Sequence, residues 1–317
     1  MNWRPSAEVA ALRARANLLA DIRGFFNDRG ILEVETPLLC STGITDPSIE
    51  ALLVERGASL AAPRYLQTSP EYAMKRLLSA GSGPVYQIAR AFRDGEAGAR
   101  HNPEFTLLEW YRPGFDQAQL MSEVVALLQL CLGELPCHQR SYRQWFLDVL
   151  GLDPMLASVA ELEAFARSQL DPGTLSGDKD LWLDLLMSHL VEPRLGELGL
   201  CFVYDYPESQ AALARVEIED GVAVGRRFEV FVHGLEVANG YHELTDAREQ
   251  RLRFERDNAR RREHGLPQRP LDEHLLAALE HGLPDCSGVA LGVDRLLMLA
   301  TGSSDIRQVL AFDWERS

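Results

Sequence analysis

Apolar and polar positions recur with different periods along the chain, and the first two segments show both periods. From Ser6 to Asp28 apolar residues recur at helical spacing, and Gly30 closes this predicted helix. From Ile31 to Pro37 charged and apolar residues alternate, which predicts a strand with one polar face. Because Pro37 cannot donate a hydrogen bond to a ladder, we expect this strand at a sheet edge.

Two further strands are predicted on either side of a polar loop. Val85–Arg93 is rich in β-branched and aromatic residues, and a loop with two glycines and a proline separates it from Phe105–Tyr111. Along the second strand Phe105, Leu107, Glu109 and Tyr111 share one face. Two aromatic rings and a carboxylate beside a loop that ends near His101 suit a ligand with a flat ring and a phosphate. An ordinary sheet face is the alternative.

Helices with N-terminal caps are predicted from about residue 116 to residue 200. Ser158 and Glu161 have the spacing of a capping box. The predicted helices run over Asp116–Leu132, Ser141–Leu150, a segment from Ser158 and Asp180–Leu190. This region is therefore a helical insertion between two strand-rich blocks, and the fold class is α+β.

A hairpin is predicted around His233-Gly234, a two-residue turn. This turn pairs Val232 with Leu235, Phe231 with Glu236 and Glu229 with Ala238. Glu229 and Glu236 then share a face with Cα atoms roughly 7–8 Å apart. Two carboxylates at that spacing can bracket Mg²⁺, and two exposed charges are the alternative. Glu243 returns to this face only if a bulge lies near Gly240.

Two helix starts carry charged residues whose placement is informative. Ser69-Pro70-Glu71 opens a helix, and Glu71 either interacts favourably with the helix dipole or contacts a ligand. A buried strand turns at Gly292 into a helix with Arg295 in its first turn. A cation is unfavourable at the N-terminus of a helix, so we expect Arg295 to bind an external anion.

Composition narrows the functional classes. The chain has 317 residues, 46% of them hydrophobic, and a formal net charge of −15. This charge argues against a broad nucleic-acid surface, although a local basic patch stays possible. The five cysteines are scattered without zinc spacing, so we expect reduced thiols and a cytoplasmic protein. We find no signal peptide, and no apolar run reaches the roughly 18 residues of a membrane span.

Three ordered blocks resemble the class II aminoacyl-tRNA synthetases. Phe92-Arg93 with His101–Phe105 is similar to their ATP-binding hairpin, and Gly292–Arg295 to their phosphate-binding strand–helix. Ile31–Pro37 resembles their dimer-interface segment. Thr68–Tyr72 and Asn239–Asp246 resemble the lysyl branch. Further blocks are similar to a free-standing paralogous family that ligates (R)-β-lysine to a lysine of elongation factor P; these blocks are Glu109–Pro113, Tyr241–Arg248 and Cys286–Arg295.

The resemblance implies a class II antiparallel sheet flanked by helices, ATP and Mg²⁺ as cofactors, and a homodimer. The implied ATP-binding residues are Arg93, Asp94, Gly95, His101, Asn102, Phe105, Glu236, Val237, Gly292 and Arg295, with Arg93 and Arg295 as the catalytic residues. The implied substrate-binding residues are Ser69, Pro70, Glu71, Tyr111, Glu243 and Ala290. Glu229 and Glu236 are implied to hold the metal.

The same resemblance implies what each group does. Arg93 holds the α-phosphate, Phe105 stacks on adenine, and Arg295 lies on the other adenine face or at the γ-phosphate. Glu71 and Glu243 pair with the two substrate ammonium groups, and Tyr111 bonds the distal one. Lysyl enzymes typically have glycine where Ala290 stands, and one added methyl could favour the β-isomer by about 1–3 kcal/mol.

One departure and two alternatives stay open. The family usually has Arg-x-Glu in the hairpin, whereas this chain has Arg93-Asp94-Gly95-Glu96, so either Glu96 or the Gly95 backbone serves. We expect a single catalytic domain over residues 1–317 without an anticodon-binding OB domain, and tRNA as an unlikely partner. The alternatives are a truncated lysyl-tRNA synthetase acting on α-lysine and a non-catalytic paralogue that senses lysine.

Overall fold

The computed structural model describes residues 3–55, 57 and 62–317. Its helices are α1 (Val9–Asn27), α2 (Glu71–Ser79), α3 (Gln117–Leu132), α4 (Tyr142–Leu150), α5 (Val159–Gln169), α6 (Lys179–Leu186), α7 (Glu192–Leu195), α8 (Ala247–Glu263), α9 (Glu273–Gly282) and α10 (Val293–Thr301). Its strands are β1 (Leu32–Glu33), β2 (Leu39–Cys40), β3 (Leu53–Val54), β4 (Arg64–Leu66), β5 (Val85–Phe92), β6 (Glu104–Pro113), β7 (Cys137–Ser141), β8 (Leu200–Pro207), β9 (Val216–Glu219), β10 (Val222–Val232), β11 (Leu235–His242) and β12 (Cys286–Gly292). The α+β class is confirmed.

The chain divides into two compact units. Unit 1 consists of Met1–Gly133 with Thr245–Ser317, and unit 2 of Glu134–Leu244. Helix α3, which falls within the predicted insertion, belongs to unit 1, and unit 2 continues past residue 200 through β11. That the units form one catalytic domain stays a prediction.

Unit 1 is built on a sheet with the strand order β1-β5-β6-β12. Strands β5 and β6 are antiparallel and pair without interruption from Val85 opposite Tyr111 to Phe92 opposite Glu104. The two strands predicted around the polar loop are therefore confirmed. Strand β1 lies at the edge, as Pro37 indicated, but it has only two residues and pairs parallel to β5. The sheet is mixed because of this edge pairing.

The core of unit 1 joins α1 and α3 to the sheet through aromatic rings. Phe26 stacks on Tyr86 with ring centroids 4.4 Å apart and meets Trp110 edge-on at 5.3 Å. The indole N–H of Trp110 donates to Glu123 on α3 at 3.1 Å, which satisfies a buried donor. Only the second half of α1 packs against this core, so Val9, part of the predicted helix, is exposed.

Unit 2 packs helices α4–α7 against one face of its own sheet, which has the order β11-β10-β8-β7 with β9 beside β10. The large buried side chains between these layers include Trp145, Phe146 and Trp182. Strand β7 was not predicted, because its sequence is mostly polar and it pairs in parallel with β8. The predicted helix Asp180–Leu190 is confirmed, although its last part changes type, from the α-helix that ends at Leu186 to a π-helix over Met187–Val191.

No helix within the described part of the chain is both long and apolar enough to cross a membrane.

Candidate functional site

In unit 1 the end of β5 and the start of β6 bring a guanidinium against an aromatic ring. The Arg93 guanidinium lies 5.1 Å from the ring centroid of Phe105. The Arg93 backbone N–H donates to the carbonyl of Pro103 at 2.9 Å, which closes the loop between the strands. The side-chain Nε of Arg93 is buried and has no hydrogen-bond partner among the described residues. An unsatisfied buried donor is costly, so this N–H is suited to a ligand oxyanion.

The loop after Arg93 brings Glu96, the acid displaced by one residue in the sequence, next to Arg93. Gly95 has a φ of 78°, a left-handed conformation that favours glycine. The chain then turns back, and the Glu96 carboxylate lies 3.7 Å from the Arg93 guanidinium. The Asp94 N–H donates to the carbonyl of Glu50 at 2.8 Å. The glutamate that stands one place out in sequence therefore still contacts Arg93.

Segment 46–50 ties this loop to α8. The carboxylate of Glu50 accepts from the fully buried Arg261 at 2.6 Å and also pairs with Arg269. Arg261 donates to the Asp46 carbonyl as well, at 3.2 Å. Since the Glu50 carbonyl holds Asp94, helix α8 helps to fix the loop through charged side chains.

At the other end of the loop Arg295 meets His101. Its guanidinium donates to His101 Nε2 at 2.6 Å and to the carbonyl of Arg100 at 3.3 Å. Burial, followed by the charge of Arg295, lowers the pKa of His101 from its ordinary value of 6.5. A neutral imidazole with its proton on Nδ1 can accept this bond. Thus unit 1 brings Arg93, Phe105, His101 and Arg295 to the same loop and its neighbouring helix start.

Two other residues that are predicted to bind the nucleotide, Asn102 and Gly292, also lie in unit 1. The side-chain amide of Asn102 accepts from the N–H of Trp314 at 3.0 Å and donates to the Glu104 carbonyl at 2.7 Å. Gly292 caps α10 opposite Leu107 of β6, and a Cβ there would make only ordinary contacts with Arg295. The glycine is therefore not required by the packing of the protein alone.

A buried carboxylate connects the predicted substrate residues of unit 1. Glu109 is 2% exposed, and its two oxygens accept from Ser69 Oγ at 2.8 Å and from the Tyr111 hydroxyl at 2.7 Å. Ala290 of β12 lies directly opposite Glu109 in the sheet. Sequence reasoning placed Glu109 on the ligand-facing side of its strand but gave it no role. Its position between Phe105 and Tyr111 was the signal that it belongs to the site.

Glu71 lies in the first turn of α2, next to Ser69 and Pro70. Its carboxylate accepts a hydrogen bond from Lys75 Nζ at 2.6 Å, and Lys75 is buried. These three predicted residues also line a cavity of about 260 Å³ together with Cys40 and other residues of unit 1. The remaining lining includes Arg64, Arg76, Asp272 and His274.

In unit 2 the predicted hairpin is confirmed at its turn and corrected one pair later. Val232 pairs with Leu235 and Phe231 with Glu236, as predicted. A bulge then shifts the register, so Glu229 lies opposite Asn239 and the predicted pairing with Ala238 is wrong. The extra residue is Val237, which no polar pattern marks. The bulge that Glu243 requires is present, at Val237 rather than at Gly240: after it Asn239 lies opposite Glu229 and Tyr241 opposite Arg227, so the odd-numbered residues take the face of Glu236, and this alternation returns Glu243 to that face.

The carboxylate of Glu229 already has two donors. Arg227 pairs with one oxygen, and the Tyr206 hydroxyl donates to the other at 2.7 Å. Burial by itself lowers the pKa of Arg227, but the charge of Glu229 and further groups, Glu236 among them, raise it above its ordinary value. Arg227 was missed from sequence. Its place two residues before Glu229, on the same strand face, was the available signal.

The carboxylates of Glu229 and Glu236 are suitable ligands for Mg²⁺, because Mg²⁺ prefers one or two carboxylates plus phosphate oxygens. Among the described residues there is no cluster of three or more histidine, cysteine, aspartate or glutamate side chains that could hold a metal by themselves. A two-carboxylate site would need the ligand phosphates to complete it. Glu243, at the end of β11, is buried and forms an isolated bridge with Ala214.

Comparison with known proteins identifies the relatives of this chain. The family profile described as class II tRNA synthetases (D, K and N) matches residues 1–316. A protein of Pseudoalteromonas translucida is 50% identical over 99% of this chain and 98% of its own length. A protein of Edwardsiella ictaluri is 51% identical and one of Pasteurella multocida is 50% identical. Each match covers 100% of this chain and 98% of the relative. All three carry the name elongation factor P–(R)-β-lysine ligase.

The lowered pKa of His101 predicts a pH-dependent contribution to stability. In the unfolded chain this imidazole gains a proton near its ordinary pKa, whereas the folded chain resists protonation beside Arg295. The contribution is therefore present above pH about 6.5 and is lost as the pH falls. We expect the difference in free energy of unfolding between the wild type and His101→Asn to shift against the wild type from pH 8 to pH 5.

Urea unfolding at several pH values measures this difference, with His189→Asn as the control at an exposed histidine of unit 2. A wild-type-minus-variant difference that is constant across this pH range would contradict the assignment.

Proposed function

The chain belongs to the class II tRNA synthetases of the D, K and N type, and within this family we propose that it is an ATP-dependent ligase acting on (R)-β-lysine and elongation factor P. It activates the amino acid as an aminoacyl-adenylate and transfers the acyl group to the ε-amino group of a lysine. Relatives of this name at 50–51% identity over nearly the whole chain support the proposal. The observation that carries it is that unit 1 combines an oxyanion site at Arg93 with a buried carboxylate at Glu109.

The oxyanion half is suited to the phosphates and the base of ATP. Arg93 supplies a planar guanidinium with a buried N–H that no described residue satisfies. Phe105 beside it offers a ring face for adenine, and Arg295 adds a second cation at the far end of the loop. His101, Asn102 and the Asp94-Gly95 backbone border the same loop. Its groups position the α-phosphate and neutralise its charge, which this chemistry needs more than proton transfer.

The carboxylate half is suited to a substrate with ammonium groups. Glu109 accepts hydrogen bonds from the hydroxyl groups of Ser69 and Tyr111, which orient its two oxygens. A buried carboxylate is stabilised when a cation reaches it. We assign Glu109 to a substrate ammonium group together with Tyr111, while Glu71 and Glu243 keep the roles that the family resemblance implies.

The reaction has two balanced steps. An oxygen of the substrate carboxylate attacks the α-phosphorus of ATP, and the bond to the β,γ-phosphates breaks to release diphosphate. The acceptor amine then attacks the acyl carbon, AMP leaves, and the amine loses a proton as the amide forms. Glu229 and Glu236 are the residues of this chain that would hold Mg²⁺, which lowers the negative charge of the phosphates when it is bound.

We extend the proposal to a cytoplasmic homodimer. Support comes from exposed apolar side chains in and directly after the predicted interface segment Ile31–Pro37: Leu32 within it is 56% exposed, and Leu38 and Leu39, which follow it, are each 40% exposed. Contiguous exposed apolar residues of this kind are typical of interaction surfaces.

ATP–diphosphate exchange tests the function and the role of Arg93 together. We expect exchange with (R)-β-lysine and a loss of about a hundredfold or more in Arg93→Ala, because one preorganised oxyanion donor is removed. Arg90→Ala is the matched control, since Arg90 is exposed on strand β5, which leads directly into Arg93. No exchange with either lysine isomer would refute the ligase and favour a sensor. Exchange with L-α-lysine alone, together with tRNA charging, would favour a lysyl-tRNA synthetase.

Replacing Glu109 with glutamine tests the carboxylate half. The amide keeps acceptor and donor atoms for Ser69 and Tyr111 but removes the charge that the ammonium group meets. We expect kcat/KM for (R)-β-lysine to fall by about 10- to 100-fold, the equivalent of one charge-assisted hydrogen bond. The KM for ATP should stay within about twofold.

Glu104→Gln is the control for this change, because Glu104 is a half-exposed glutamate on the same strand. If the KM for ATP instead rises by as much as kcat/KM for (R)-β-lysine falls, Glu109 does not act specifically on the amino acid.

Ala290→Gly tests the preference between the isomers. Because Ala290 lies opposite Glu109, removing its methyl group enlarges the space beside the proposed ammonium site. We expect the ratio of kcat/KM for L-α-lysine to that for (R)-β-lysine to rise by about tenfold or more. Ala223→Gly in strand β10 controls for glycine in a strand. An unchanged ratio would remove Ala290 as a selectivity residue.

A further inference from the structure

A buried ion pair lies directly behind the proposed nucleotide residues of unit 1. Asp294, in the first turn of α10, has a side chain that is 3% exposed and pairs with Arg15 of α1, which is 16% exposed. Neither residue was given a role by the sequence. A buried ion pair contributes little net stability, because removing both charges from water offsets their attraction. We therefore expect this pair to have a further role.

The position of Asp294 coincides with the end of a strand ladder. Pairing between β12 and β6 ends where Gly292 lies opposite Leu107. The next N–H along β6, that of Thr106, donates to the second carboxylate oxygen of Asp294 at 2.7 Å. Asp294 therefore continues the connection between β6 and the chain leaving β12 after the backbone ladder has stopped.

Arg15 holds the other side of the same carboxylate. Its guanidinium also donates to the carbonyl of Val309 at 3.2 Å and approaches Thr106 Oγ1 at 3.4 Å. One side chain from α1 thus connects the start of α10, the start of β6 and the segment after Ile306. Since the guanidinium is planar and rigid, it fixes the relative positions of these three partners.

We propose that the Arg15–Asp294 pair is a positioning device that sets Arg295 against Phe105 for nucleotide binding. Each end of the buried connection is one residue away from a proposed nucleotide contact: Thr106 follows Phe105, and Asp294 precedes Arg295. Arg15 and Asp294 themselves do not touch the nucleotide. A displacement of about 1 Å at such contacts can cost about a hundredfold in a reaction that depends on alignment.

The inference rests on the proposed ATP-dependent function, so the experiment measures ATP binding directly. Calorimetry with ATP and, separately, with (R)-β-lysine compares the wild type with Asp294→Asn, Arg15→Met, the double variant and Arg15→Lys. Arg23→Met is the matched control, because Arg23 lies on the same helix in an exposed ion pair with Glu33. Circular dichroism and thermal unfolding identify the variants that fold. Should Arg15→Met not fold, Arg15→Lys and Asp294→Asn carry the test.

We expect Kd for ATP to rise about 10- to 100-fold in Asp294→Asn and Arg15→Met, while Kd for (R)-β-lysine stays within about twofold. The double variant should lose no more than the weaker-binding single variant, because both changes break one connection. Arg15→Lys, which keeps the charge, should recover part of the loss, and Arg23→Met should bind like the wild type.

Folded variants with wild-type affinity for ATP would overturn the proposal, and so would an equal loss for both ligands, which indicates general loosening. The outcome is separable from that of the ligase function. A wild type that binds ATP but shows no exchange refutes the ligase and leaves the positioning test intact, whereas a wild type that does not bind ATP refutes both.

Discussion

The uninterrupted pairing of β5 with β6, and of β6 with β12, is the constraint on which the site of unit 1 depends. It places Phe105, Glu109 and Tyr111 on one face of β6 and sets Ala290 opposite Glu109. A shift by one residue would turn every one of these side chains to the other face. The aromatic core behind the strands, with Phe26 stacked on Tyr86, makes such a shift costly because it would expose buried rings.

Glutamate and aspartate residues add connections between elements that the backbone pairing of the strands does not join. Glu50 links α8 to the Asp94 turn, Glu109 joins α2 to β6 through Ser69, and Asp294 joins α10 to β6 through Thr106. Each connection joins residues that are distant in sequence and uses a carboxylate with several donors. A carboxylate can accept at both oxygens, so one side chain can fix two neighbours at once. Glu50 therefore holds the functional loop itself, while Glu109 and Asp294 hold strand β6, which follows the loop.

Local patterns predicted the elements of this fold, and long-range geometry limited the prediction of the site. The strands around the polar loop, the capped helices at Asp116 and Ser158 and the turn at His233 followed from short sequence signals, and the structure confirms them. Strand β7 did not, because a polar edge strand in a parallel pairing has no apolar alternation. The bulge at Val237 did not either, since nothing in the residue types marks it.

For the site, too, local sequence signals identified residues, whereas contacts between distant residues were not predicted. Residue types and family blocks pointed to Arg93, Phe105 and Arg295, and the structure places them at one loop and its adjoining helix start. The links of Glu109 to Ser69, of Arg227 to Glu229 and of Arg15 to Asp294 could not be predicted, because they depend on side-chain directions. Glu96 shows how backbone conformation decides such a case, since the left-handed Gly95 returns it to Arg93.

The cavity beside Ser69 and Glu71 has a consequence for the reactivity of the cysteine in its wall. Cys40 lines this cavity, and burial, reinforced by the carboxylate of Asp272, raises the pKa of its thiol. The nucleophilic form of cysteine is the thiolate, which is scarce when the pKa is raised. The raised pKa therefore leaves a protonated, weakly nucleophilic thiol in the wall of this cavity.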